Sequence, residues 1–204
     1  DALIWEKEVV FSSASQYGTP PLSVTTGGGI FNTRTLSNAS TEAKALHAQT
    51  RTLLAGLHIA SGVTHTEFIR GHEDGRFYFL ETAARVGGAN IDKLVEAATG
   101  VVLWAEAAKI TIAHARGEQY QPPTARQDAA GLLICLAKQE HPDLSGYNDE
   151  EIVWRLDNKT YHAGLLVRAK ENGRVSELLD SYSHRFAHDF LSSAPPIAEV
   201  RTTF

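Results

Sequence analysis

Two carboxylates on neighbouring predicted strands, with an arginine and a glycine pair close behind, are the residues of this chain best spaced to do chemistry. Glu67 lies in Gly62-Val-Thr-His-Thr-Glu-Phe-Ile, and Glu81 in Arg76-Phe-Tyr-Phe-Leu-Glu-Thr-Ala-Ala-Arg-Val-Gly-Gly. Between these runs, Gly71-His-Glu-Asp-Gly75 carries the Asp-Gly pair of a tight hairpin. Side chains alternate along a strand, so Val63, His65, Glu67 and Ile69 share one face of the first strand, and Phe77, Phe79 and Glu81 one face of the second. A turn whose apex is Asp74 places Glu67 directly opposite Glu81. A two-residue Asp74-Gly75 turn instead shifts the register and leaves one glutamate on the solvent side. Opposed like charges destabilise a strand pair unless a cation or a shared proton lies between them. Two carboxylates with open positions suit a hard, oxygen-seeking ion, Mg²⁺ first, when phosphates supply the remaining ligands.

The neighbouring residues extend this chemistry. Arg85 can fork two hydrogen bonds onto phosphoryl or carboxylate oxygens. Gly87 and Gly88 leave backbone N–H groups unobstructed before a helix that begins near Asn90, and such helix starts favour anions. His65 shares the face of Glu67; it contacts substrate, orients the glutamate, or is a packed and hydrogen-bonded core histidine. Gly27-Gly28-Gly29 with Arg34 wraps a phosphate, covers the substrate, or forms a flexible crossing between strands, and no Gly-Lys-Ser/Thr ending of a P-loop follows it.

The elements that must position these groups follow from periodicity and punctuation. Residues 4–11 read as a strand and 12–29, rich in Ser, Thr, Pro and Gly, as a loop. Ser40 or Thr41 caps a helix to about His58 with Leu46, Leu53, Leu54 and Leu57 as its buried stripe. Residues 91–98 form a second helix with Ile91, Leu94, Val95 and Ala98 on one side, stopped at Gly100. A third spans 102–115 before Gly117, burying Leu103, Ala107 and Ile110, with Trp104 expected to pack rather than to serve as a ligand platform. The stretch 118–128, with Pro122-Pro123, marks the best boundary, dividing residues 1–120 from a small α+β unit at 124–204.

Beyond it, residues 130–138 and 162–170 read alike, as short buried strands ending in lysine and neighbours in one small antiparallel sheet. Asn172-Gly173 reads as a turn and 175–191 as a helix on which His184 and His188 share a face. No further ligand pattern accompanies that pair, so exposed polar positions outweigh a zinc site. The tail 192–204 reads as an extended arm or edge strand.

Composition sets the outer limits. The chain has 204 residues, 43% of them hydrophobic, and a formal charge of −5 that gives no sign of a nucleic-acid partner. No apolar run approaches the roughly 20 residues that span a membrane. A single cysteine, Cys135, excludes an internal disulfide, fits a reducing, cytoplasmic compartment, and sits in an apolar run where it reads as a small buried hydrophobe. The chain opens on Asp1 and contains no methionine, so the expectation is a piece of a longer protein.

The hairpin and the helix pair after it resemble the C-terminal core of ATP-grasp enzymes, over roughly residues 1–117. Glu67 and Glu81 stand at that superfamily's two acidic positions and Arg85 at its arginine, within a pattern close to Glu-x-Asn-x-Arg. The resemblance implies an α+β fold, with an antiparallel sheet and packed helices plus the small C-terminal appendage. It implies ATP with Mg²⁺, or Mn²⁺, bridging the phosphates between both glutamates, and Arg85 steadying the transferring phosphoryl group. Ala83 departs from the pattern, standing where many members have a metal-binding Asn, and leaves water, substrate or a bidentate Glu81 to complete the shell.

The Ala-x-Arg-x-Gly-Gly variant is similar to ligases that join a carboxylate to an amine through an acyl phosphate, amino-acid ligases included. Bicarbonate activation of the biotin carboxylase kind, or a degenerate module that binds nucleotide without catalysis, are the alternatives. The partners implied are small carboxylate and amine substrates, with a homodimer compatible. An N-terminal domain and a lysine-bearing lid are expected upstream, so the chain alone is expected to be inactive.

Overall fold

The computed structural model describes residues 1–192, and the predicted tail arm lies outside them from 193 onward. The chain opens with two strands where one was expected: β1 (Ala2–Trp5) and β2 (Glu8–Ser12) pair antiparallel. The reversal falls on Glu6 and Lys7, at φ 51° and 71°, with the Lys7 N–H donating to the Ala60 carbonyl at 2.7 Å. Neither residue is the Gly or Asn that signals such a turn, which is why the pattern read as continuous.

The expected loop at 12–29 also holds structure. β3 (Ser15–Tyr17) is followed by α1 (Pro21–Gly27), which starts on a proline, and then by β4 (Ile30–Thr35). β3 exists because it pairs with β4, Tyr17 opposite Thr33, so its strand character is a tertiary property.

Helix α2 (Thr41–Gly56) is capped as expected, the Ser40 hydroxyl accepting from the Ala43 N–H at 3.1 Å. Of its predicted stripe, Leu54 is buried against Ala2 and Ile4, whereas Leu57 is half exposed because it lies beyond the last turn as the C-cap. Strands β5 (Gly62–Arg70) and β6 (Phe77–Ala83) form the glutamate hairpin. Helices α3 (Ile91–Thr99) and α4 (Leu103–Arg116) end on the left-handed Gly100 and Gly117, as read. Trp104 does not pack: it is 61% exposed, with its indole N–H on the Asp92 carboxylate.

After the Pro122-Pro123 segment come β7 (Ala129–Leu136), β8 (Ile152–Arg155), β9 (His162–Ala169) and α5 (Asn172–Asp189). Asn172 and Gly173 form the first turn of α5 rather than a separate turn.

Among the described residues two antiparallel sheets result, in the orders β2-β1-β5-β6 and β3-β4-β7-β9-β8. β7 and β9 are neighbours, as their likeness implied, and β4 pairs along the other edge of β7. The second sheet therefore draws strands from both sides of Pro122-Pro123. Helix α3 lies between the sheets, because its apolar residues point two ways. Ile91 and Val95 join Leu3, Trp5 and Val63 of the first sheet; Leu94 and Ala98 meet Ala130, Leu132 and Leu166 of the second. Helix α5 covers the far face of the second sheet through Val175, Leu179, Tyr182 and Phe186. Cys135 lies in this core, and burial pushes its thiol up to about 11, as suits an inert packing residue.

Helix α2 is tied to the first sheet by a titratable contact. His47 Nδ1 lies 2.7 Å from the Ser12 hydroxyl and Nε2 lies 3.3 Å from Asn38 Oδ1. Burial lowers its pKa below the usual imidazole value. A lowered folded-state pKa means that the unfolded chain takes up the proton first, so this contribution is full above about pH 6.5 and is lost as pH falls through the folded value. The thermal midpoint is expected to drop between about pH 7.5 and about pH 5.5, and to drop less in His47→Gln. Equal drops in the two proteins would remove His47 from the acid limb.

Candidate active site

Glu67 and Glu81 are directly opposed in the hairpin. The route to that pairing differs from the expected one. A four-residue loop closes with the Gly71 N–H donating to the Arg76 carbonyl at 2.8 Å, and the next pairs are Arg70 with Phe77, Ile69 with Tyr78 and Phe68 with Phe79. Continued without interruption, that register would set Glu67 against Leu80. A bulge between Glu67 and Phe68 absorbs Leu80 as an extra residue, and the pairs resume as Glu67 with Glu81, Thr66 with Thr82 and His65 with Ala83. Phe79, opposite Phe68 with ring centroids 6.2 Å apart, therefore sits on the other face from Glu81, which corrects the expected shared face.

Glu67 is held by two side chains. The Tyr17 hydroxyl donates to Oε1 at 2.8 Å, and His65 Nε2 lies 3.3 Å from the same oxygen. On the other side of the ring, His65 Nδ1 lies 3.1 Å from Asp1 Oδ1. A neutral imidazole donates to only one of two such carboxylates. Burial holds the His65 pKa below the ordinary value, against the pull of Glu67. The core-histidine and the glutamate-orienting readings of His65 thus coincide in one residue.

Tyr17 and Asp1 were missed by sequence reasoning. Neither carries a local signal, since their roles depend on β3 and β1 being brought beside β5. Burial raises the Tyr17 phenol far above its usual pKa; the bond to Glu67 and the charges of Glu67 and Glu81 raise it further, and Arg85 opposes them. Those four side chains therefore lie within one electrostatic neighbourhood.

Arg85 and Glu81 are both exposed, and Arg85 Nη1 donates to the Val86 carbonyl at 2.9 Å. Among the described residues Arg85 forms no ion pair with a carboxylate. Gly87 has a packing reason to be glycine: a Cβ there would lie 2.9 Å from both Asp1 Oδ1 and His65 Nδ1. A Cβ on Gly88 would have room, meeting only Arg85 Nη1 at 3.9 Å. Ala89 and Asn90 follow at φ 52° and 60°, a left-handed pair that turns the chain into α3. Such strain in non-glycine residues collects at functional turns.

Arg34 stands apart. It donates to Gln16 Oε1 at 3.0 Å and pairs with Gln16 and Gly131. A Cβ on Gly131 would strike Val175 and Leu179, so Arg34 shares the α5 face and Tyr17 the opposite one. His184 and His188 are both exposed, and among the described residues no three His, Cys, Asp or Glu groups are placed to hold a metal.

The donor set can be tested against the divalent ion that the resemblance implies. The protein offers two opposed carboxylates, with both described contacts to Glu67 falling on one oxygen. That is no all-protein cage; it fits an ion such as Mg²⁺, which keeps waters and takes substrate phosphates as ligands.

These paired sheets, with the helix pair packed after the glutamate hairpin, define an ATP-grasp fold. Two solved structures show it. The L-amino acid ligase from Bacillus licheniformis matches with TM-score 0.65 and 16% identity, covering 95% of this chain and 51% of that one. The phosphoribosylglycinamide synthetase from Anaerococcus prevotii matches with TM-score 0.62 and 12% identity, over 95% of this chain and 52% of that one. The chain thus spans about half the length of each. No protein-family profile and no curated protein sequence matches it. No described helix is long and apolar enough to cross a membrane.

Proposed function

We propose that this chain is the phosphate- and metal-binding half of an ATP-dependent ligase that joins a carboxylate to an amine. The observation that carries the reading is the Glu67–Glu81 pair across the hairpin, with Arg85 in the same electrostatic neighbourhood. The fold likeness to a ligase and a synthetase supports it.

In the proposed reaction a substrate carboxylate oxygen attacks the γ-phosphorus of ATP and ADP leaves. The amine then attacks the acyl carbon, loses a proton, and phosphate departs. Phosphorylation turns a poor leaving oxygen into a good one, as in covalent catalysis. Glu67 and Glu81 would hold Mg²⁺, which when bound neutralises phosphate charge. Arg85, unpaired with any described carboxylate, would meet charge that develops on the transferring phosphoryl group. His65 and Tyr17 hold Glu67, and the backbone N–H groups at Gly87 and Gly88 would face the phosphates.

The test is phosphate release from ATP and Mg²⁺ by the protein carrying this chain, across a panel of amino acids with bicarbonate as comparison. Release that requires a carboxylate and an amine together supports the ligase. Release driven by bicarbonate alone favours carboxylation, and nucleotide binding with no release defines a non-catalytic module.

A further inference from the structure

We propose that Tyr17 is a positioning residue that fixes the Glu67 carboxylate for a divalent cation, so that the second sheet sets the geometry of a site built on the first. The inference rests on the reading of Glu67 and Glu81 as the metal-binding pair. Tyr17 ends β3, at the edge of the second sheet, while Glu67 is on β5 of the first, and their bond of 2.8 Å joins the two.

The ring is itself anchored. Tyr17 pairs with Thr33, and its ring lies 5.5 Å from that of Phe31 at a tilt of 56°. Phe31 in turn packs among α3 and the core strands of both sheets. So fixed a ring holds the hydroxyl oxygen in place, and its O–H turns about the C–O bond to meet Glu67 Oε1.

The consequence lies in how the oxygens of Glu67 are shared. Tyr17 and His65 both meet Oε1, and among the described residues Oε2 takes no hydrogen bond. With one oxygen held, rotation of the carboxylate is stopped and the other is kept for a cation shared with Glu81. Outer contacts of this kind typically contribute about 10–100-fold to metal affinity.

The test is Mn²⁺ binding to the protein carrying this chain in the presence of ADP, followed by the electron paramagnetic resonance of free Mn²⁺. Tyr17→Phe keeps the ring and removes the O–H. Its dissociation constant for Mn²⁺ should rise about tenfold or more while the thermal midpoint stays within a few degrees of the parent. In a Glu67→Asp background, where the carboxylate is drawn back from the phenol, Tyr17→Phe should change the affinity less than about twofold. Parental affinity in Tyr17→Phe, or an equal loss in both backgrounds, would overturn the role of Tyr17 and leave the metal reading standing. Absence of Mn²⁺ binding in the parent, or binding unaffected by Glu81→Gln, would overturn the metal reading itself.

Discussion

Arg85→Ala is expected to lower kcat by about 10²–10³-fold, the usual loss on removing one preorganised donor from a site of developing charge. In the proposed reaction the affinity for ATP should move much less, because the charge that Arg85 would meet grows during phosphoryl transfer rather than on binding. Arg85 sits exposed, with its one described bond to the neighbouring Val86 carbonyl, so removing its guanidinium breaks no described ion pair. Arg85→Lys should recover only part of the rate, since a point charge replaces a planar fork. Glu81→Gln should fall as steeply while leaving the fold intact, because Glu81 is exposed and its opposition to Glu67 favours unfolding until a cation is present. Steady-state kinetics on folded variants decides the matter. Normal kcat in Arg85→Ala would sink its assignment, and unchanged turnover in Glu81→Gln would remove that carboxylate from the mechanism.

The acidic pair was legible in the sequence, though the path to it was not. Alternation and an Asp-Gly turn predict strands and approximate pairing. They do not reveal a bulge, which depends on where the ladder accommodates an extra residue. Here Leu80 supplies that residue, and without it Glu81 would face away from Glu67. Phe79 was placed on the wrong face for the same reason. A shift of one residue near the turn and a bulge further along cancel for Glu81 and not for Phe79.

Tyr17 and Asp1 show the other limit. Each meets a partner about fifty or more positions away, Tyr17 on Glu67 and Asp1 on His65, and both depend on elements distant in sequence being brought together. The helices that end on glycine were read best, because a buried stripe and a glycine stop are local. α3 is the clearest case, with Ile91, Leu94, Val95 and Ala98 buried and Gly100 at φ 77°. That the same helix serves two sheets at once was beyond periodicity, which marks an apolar face without naming what covers it.

The second large effect is expected on the face of the second sheet that α5 covers. Phe186 on α5 is fully buried, with its ring edge-on to Tyr147 and Phe190 at centroid distances of 5.1 Å each. Phe186→Ala should cost about 3–5 kcal/mol, the transfer of the ring plus the void it leaves. For a chain of this size that corresponds to a fall in thermal midpoint of about 6–20 °C. The void cannot close easily. Tyr147 is held by its hydroxyl on Asp189 at 2.8 Å and by the Arg185 guanidinium over its ring at 4.0 Å, and Tyr182 is fixed by its hydroxyl on Asp149. On the sheet side, α5 already rests on Gly131, where an added Cβ would come within 2.7 Å of Val175 and 2.8 Å of Leu179. The helix can neither sink further nor repack around the gap. Chemical denaturation should show the loss as a shifted midpoint with an unchanged slope. Kinetics measured on the folded fraction should stay near the parent value, because α5 covers the face of the second sheet turned away from Tyr17 and Glu67. A loss under about 1 kcal/mol would mean that α5 adds little to the core it covers.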